Sequence, residues 1–296
     1  MKITIFGTRG SYPVARKEVM RYGGNTTCLF IESGQDLITI DGGTGIVKLG
    51  QSLIAREHPQ TELNLFLTHP HWDHILGLPA FQPLYDERFH ITIFGSDSEN
   101  KTVESIFSTQ YTSGNFPVHF DQLPASIRIN KIDRKSRVKL SSTNVTCCQL
   151  NHPGINLGYR FESPTGIFCV LHDLAPIEAN YLGFGMASEA ASKPKAFETN
   201  YNAGLVDFIR DADLVLYDTC FTDEELEGKR HWGHSTATEA FKILEQHRHP
   251  PALILSHHDP NHSDAMMDAI YDAAKREGKK RNIEVLVAKE LGVFKI

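Results

Sequence analysis

No apolar run in the chain approaches the ~20 residues that a bilayer span requires, so an embedded membrane protein is not expected. Cysteine is sparse, five in 296 residues, and none of the five falls in a C-x-x-C pair. That spacing excludes a dense disulfide scaffold and points to reduced thiols in a cytoplasmic protein. Positive charge is also short: 30 Lys and Arg face 36 Asp and Glu, leaving a formal charge of −6. Nucleic-acid affinity rests largely on neutralising phosphates with Lys and Arg, so this balance disfavours a large polyanionic partner. A small phosphate-bearing substrate stays open. Repeats, low-complexity tracts and a composition-marked linker are all lacking, so one domain over residues 1–296 is expected. The opening Met1-Lys2-Ile3-Thr4-Ile5-Phe6-Gly7 reads as a strand rather than an export signal. What the chain does hold is 41% apolar residues, enough for a sizeable core, and 15 histidines, several of them clustered.

Short apolar runs bounded by glycine turns predict strands at Lys2–Phe6, Thr27–Glu32, Asp36–Ile40 and Leu63–Leu67. Ile46, Leu49, Leu53 and Ile54 recur with helical period and predict a helix over Gly45–Arg56. Further strands are predicted at Ile91–Phe94, Asn144–Leu150, Leu157–Phe161 and Gly166–His172. Thereafter helices (Ala203–Asp211, Ser235–Gln246, Ser263–Arg276) alternate with strands (Leu214–Tyr217, Ala252–Ser256, Ile283–Ala288), and Gly292–Lys295 is a last strand. The pattern is that of an α/β layered protein.

The sharpest local signal is Thr68-His69-Pro70-His71-Trp72-Asp73-His74, placed directly after the strand Leu63–Leu67. Residues two apart on extended chain point the same way, so His69 and His71 can share one cation. Asp73 and His74 follow where the chain turns, placed to serve a second cation a few ångströms away. Imidazole and carboxylate without thiolate suit Zn²⁺ first, with Mn²⁺ or Fe²⁺ as alternatives.

With the segments around it, this motif resembles the metallo-β-lactamase superfamily, whose signature is H-x-H-x-D-H at a strand end. Matching segments are Gly7-Thr8-Arg9-Gly10-Ser11, Gly23-Gly24-Asn25-Thr26-Thr27-Cys28, Asp41-Gly42-Gly43-Thr44-Gly45, Gly233-His234-Ser235-Thr236 and Ser256-His257-His258. The phosphodiesterase and tRNA 3′-processing branch is the most similar. The resemblance implies an αββα sandwich, two mixed sheets flanked by helices, with two divalent metals at one edge. It also implies a metal set of His69, His71, Asp73, His74, His152, Asp173 and His257, with Asp173 bridging. His257 and His258 compete for the last place, and register after the strand favours His257. A hydroxide held between two such metals is the implied nucleophile, oriented by Asp73.

Four further residues gain roles beside this set. Asp41 either orients the metal-binding loop or is an ordinary turn residue, and His258 either supports the centre or is satisfied in the core. His234, ahead of a helix, is the expected catalytic residue facing the scissile phosphate, with Asp218 as its partner. The implied activity is a dinuclear phosphodiesterase acting on a small or cyclic nucleotide-like phosphodiester. A tRNA 3′-endonuclease or other RNase using the same site is the alternative. The tRNA-processing branch inserts a long arm between the third histidine and the bridging aspartate. Here that interval is 173 − 152 = 21 residues, filled by two strands. A di-iron redox or oxygen-sensing protein is the rival from another class, but neither the expected carboxylate replacement in the motif nor a flavin domain is present.

Two loops remain. Residues 174–203, with Gly183-Phe184-Gly185, read as a lid over the substrate, as a subunit contact implying a homodimer, or as plain loop. Thr109–Asp121 carries Tyr111, Phe116, His119 and Phe120, aromatics that stack on a base or pack in the core.

Overall fold

The computed structural model describes residues 1–56, 60–98, 101–112, 116–177 and 193–296. Its strands fall into two seven-stranded mixed sheets. The first contains β1 (Lys2–Gly7), β2 (Cys28–Ser33), β3 (Asp36–Ile40), β4 (Glu62–Phe66), β5 (His90–Gly95), β6 (Ser126–Lys131) and β14 (Val293–Lys295), in the order β14-β1-β2-β3-β4-β5-β6. The second contains β7 (Arg137–Lys139), β8 (Asn144–Leu150), β9 (Asn156–Ser163), β10 (Gly166–Leu171), β11 (Leu214–Asp218), β12 (Ala252–Ser256) and β13 (Val285–Val287), ordered β13-β12-β11-β10-β9-β8-β7.

The inner faces of the two sheets bury a common core that includes Ile5, Ile31, Ile40, Phe66, Tyr159, Phe161, Phe168 and Ile254. The rings of Phe66 and Phe94 stack at 4.4 Å, and the Tyr159 hydroxyl donates across the sandwich to the Leu67 carbonyl. On the outer face of the first sheet, α1 (Ile46–Ile54) and α3 (Val103–Ser108) bury Leu49, Leu53, Ile106 and Phe107. α4 (Pro194–Phe208), α6 (Ala237–Leu244) and α7 (Asp264–Lys280) cover the second sheet with Leu205, Phe241 and Met267. The layering is therefore αββα, as anticipated. The short helices α2 (Trp72–Ile75) and α5 (Asp223–Glu227) sit in connections. Among the described residues, no helix is long and apolar enough to cross a membrane.

Some elements depart from those predicted, and one predicted feature lies outside the described residues. The helix expected over Ala203–Asp211 starts nine residues earlier, at Pro194, where the fixed proline φ suits a first turn. β6, β7 and α3 are additional. The proposed lid residues Gly183, Phe184 and Gly185 lie outside the described residues.

In each sheet a central block is parallel: β3, β4 and β5 in one, β10, β11 and β12 in the other. Parallel strands deliver their carboxyl ends to one edge, where open α/β sheets place ligands. The signature motif and Asp41, Asp173, Asp218 and His257 all lie at such ends.

Candidate metal centre and active site

Three of these strands end by turning into the left-handed region at a non-glycine residue: Asp41 (φ 61°), Asp173 (φ 53°) and His257 (φ 60°). Such backbone is held at a cost by its surroundings and clusters at functional sites. Here it swings three side chains off their strands into one buried space. The motif itself bends after β4: His71 is extended (ψ 152°) at the position just before α2, the single turn that carries Asp73 and His74.

The seven expected donors assemble into two groups that share Asp173. His69, His71, His152 and Asp173 form one; Asp73, His74, His257 and Asp173 form the other. In the first, His71 Nδ1 is 3.1 Å from His152 Nε2, while Asp173 Oδ2 is 3.5 Å from His69 Nε2 and 3.6 Å from His152 Nε2. In the second, Asp173 Oδ1 is 3.3 Å from His74 Nε2 and 2.9 Å from His257 Nε2. Asp73 Oδ2 lies 3.4 and 3.3 Å from the same two nitrogens.

These separations fit a divalent ion. Ligands about 2.1 Å from a tetrahedral Zn²⁺ stand about 3.4 Å apart. Buried His69 Nε2, His74 Nε2, His257 Nε2 and Asp173 Oδ1 make no well-formed hydrogen bond. Orphaned buried polar atoms are costly, and a pair of cations converging on Asp173 accounts for all four. Charge agrees. Burial opposes a proton on His74 and His257, yet Asp173 and Asp73 beside both, with Asp41 beside His74, carry their pKa values well above the ordinary histidine range. The second group demands positive charge. In the first, burial lowers His69 strongly and His152 to about 4, leaving neutral imidazoles ready to bind.

The supporting contacts orient the rings. Asp41 Oδ1 accepts the Thr68 backbone N–H at 2.8 Å, and Asp41 Oδ2 lies 2.8 Å from His74 Nδ1. Asp41 thus fixes the start of the motif and one of its rings together. His152 Nδ1 donates to the Gly233 carbonyl at 2.8 Å. Asp73 Oδ2 accepts the Ser11 N–H at 2.8 Å, joining the Gly7–Ser11 loop to the second group. That loop is pinned by Arg9, fully buried and donating to the carbonyls of Gly23, Asp259 and His262.

His234 stands beside the donors rather than among the seven. Its Nδ1 is 2.8 Å from Asp218 Oδ2, and its ring stacks on His257 at 4.8 Å. Asp218 is held in turn by the backbone N–H groups of Cys220 and Leu174.

His258 packs in the core with one ring nitrogen, Nδ1, left without a hydrogen-bond partner. Its Nε2 is bonded to the Ala288 carbonyl at 2.9 Å and its ring meets Tyr22 edge-on, away from both donor groups. Tyr111 is likewise core, buried with its hydroxyl on the Leu78 carbonyl, whereas Phe116 lines a cleft.

Other contributors carried no sequence signal. His172 is buried with Nδ1 3.5 Å from Asp41 Oδ2, and it had read simply as the end of a strand. Cys220 lies within 4.8 Å of donor atoms on His234 and His257. Burial pushes its thiol up to about 12, so it is no ready thiolate ligand. Two glycines make room for the rings: a Cβ on Gly10 would fall 2.3 Å from the His257 ring, and one on Gly233 (φ +91°) 2.3 Å from that of His152.

Known proteins give the same outline. A model of the β-lactamase superfamily domain matches residues 38–190, just over half of the chain, from within β3 to beyond Asp173. Ribonuclease Z of Pyrococcus horikoshii is 24% identical over 290 residues, covering 89% of this chain and 88% of its own. The metallo-β-lactamase fold protein YhfI of Bacillus subtilis superposes with a TM-score of 0.67 at 18% identity, over 99% of this chain and 98% of its own. The short form of human tRNase Z does so with a TM-score of 0.63 at 18% identity, over 100% and 99%. By the match to the domain model, this chain belongs to the β-lactamase superfamily.

Proposed function

We propose that the protein is a metal-dependent hydrolase of phosphodiesters. The observation that carries this reading is the His234–Asp218 pair set against two donor groups that share Asp173. The two groups would hold two divalent ions, zinc first and Mn²⁺ or Fe²⁺ as alternatives, which would supply Lewis acidity for a phosphoryl oxygen and an attacking water. Asp73, fixed by the Ser11 N–H, orients that water. Asp218 accepts from His234 Nδ1 and orients the ring. Nε2 is then the atom that gives a proton to the leaving oxygen.

Two substrates have separate support. An RNA phosphodiester is favoured by the relatives, ribonucleases Z that match along nearly the whole chain. They put the RNA reading ahead of the small-substrate one, and composition alone no longer sets a large nucleic acid aside. A small nucleotide-like phosphodiester is favoured by the 173 − 152 = 21-residue interval, which β9 and β10 fill with no room for an inserted arm.

Metal-loaded protein tested on bis-p-nitrophenyl phosphate, cyclic nucleotides, a 3′-extended tRNA precursor and a β-lactam separates the readings. Phosphodiester cleavage without β-lactam hydrolysis is expected. Cleavage of the precursor at one 3′ position selects the RNA reading, and turnover of cyclic nucleotides alone selects the small one. A protein that opens only the β-lactam would contradict the proposal.

A further inference from the structure

The chain has two tryptophans, and both are exposed: Trp72 at 77% and Trp232 at 53%. Trp232 packs against Phe221 and lies under Lys229, whereas Trp72 opens onto a cleft, where an aromatic face can take a ring of the substrate. Trp72 lies between two of the expected donors, His71 and Asp73, and extends into a cleft of about 930 Å³ whose lining also includes His71. The cleft is therefore continuous with the first donor group.

Its character is specific. Trp72, Leu76, Pro79, Ile106, Phe116 and Ile155 supply apolar walls. Among the described lining residues Lys101 is the one Lys, Arg, Asp or Glu, and Ser98, Thr109 and Gln110 offer hydrogen bonds. A run of phosphates needs several cations, and the described lining offers one, Lys101. Such a surface does suit a flat, uncharged ring bearing polar edges, stacked on an aromatic face.

We infer that the Trp72 cleft is the subsite for one unpaired nucleobase of the substrate, next to the phosphate held at the donor groups. The inference rests on the phosphodiester reading and narrows it. A base must leave its helix to stack on Trp72, so the substrate is single-stranded or mononucleotide-like at the position beside the scissile phosphate. A continuous duplex up to that phosphate is excluded from the cleft.

Two measurements test this. In the first, steady-state kinetics compare thymidine 5′-(p-nitrophenyl phosphate) with methyl p-nitrophenyl phosphate, which shares the leaving group and lacks a base. Trp72→Ala should raise KM for the thymidine ester about 10–100-fold, the range of one lost stacking contact. It should leave the methyl ester within about twofold, and Trp72→Phe should recover most of the loss. Equal effects on both esters, or none on either, would overturn the subsite.

The second measurement is independent of turnover. In Trp232→Phe, Trp72 is the one remaining indole, and adenosine 5′-monophosphate should quench its emission saturably while ribose 5-phosphate does not. Quenching by both alike, by neither, or a change that follows protein concentration alone would overturn the inference, the last by marking a self-association face. Quenching by the nucleotide with no phosphodiester cleaved would keep the base subsite and reject the hydrolase reading.

Discussion

His234 Nδ1 stands 2.8 Å from Asp218 Oδ2, a fully buried carboxylate at the end of β11. The pair is not among the seven expected ligands, although His234 and Asp218 offer atoms within 4.8 Å of those of Asp173 and His257, so its independence of the metals is the point to test. His234→Ala should keep both metals and the fold while lowering kcat by about 10²–10⁴, the range of a general acid. The loss should shrink for p-nitrophenolate esters, whose leaving group needs little protonation. Asp218→Asn in the His234→Ala background should add little, because residues acting as a unit are not additive. Loss of a metal from His234→Ala, read by elemental analysis, would contradict this role.

Gly233 is the second target. Its φ of +91° and the 2.3 Å between a built Cβ and the His152 ring leave no place for a side chain. Gly233→Ala should destabilise the fold by about 1–3 kcal/mol and displace His152 from the first donor group. Metal content should then fall from two equivalents towards one, with the second group retained. Unchanged melting temperature and stoichiometry would show that His152 is not held through Gly233.

Metal binding should also release protons. Despite burial, the carboxylates around His74 and His257, Asp173 foremost, raise both rings well above the ordinary histidine value, so both are charged at pH 7 without metal. A ligating histidine is neutral. Filling the second group should therefore expel about two protons, and affinity should rise with pH until those raised values are passed. Calorimetry in two buffers of different ionisation enthalpy measures the number directly. Buffer-independent heats, or proton uptake, would contradict the assignment of these two rings.

The sequence made the architecture legible where apolar runs were dense. β1 to β5 and β8 to β12 each carry enough buried Ile, Leu, Val or Phe to stand out. β6, Ser126-Ile127-Arg128-Ile129-Asn130-Lys131, alternates but is a half-exposed edge strand with two cations, and β7 is three residues long. The start of α4 was missed because its inward face is thin, Phe197, Tyr201 and Leu205 at four-residue steps.

The donors were legible for a different reason. They are contiguous in the motif or follow apolar strands, so local order predicts their spatial order. What stayed hidden depends on space between distant segments: the absence of a Cβ at Gly10 and Gly233, the approach of His172 to Asp41, and the Ser11 N–H on Asp73. None of these leaves a periodicity to read.

The most direct test of the account is anomalous diffraction at the absorption edge of the metal in the purified protein. Two peaks on opposite sides of the Asp173 carboxylate are predicted, one among His69, His71 and His152 and the other among Asp73, His74 and His257. A structure of loaded protein with no peak beside Asp173, or with its metal held by Cys220 and His234, would contradict it.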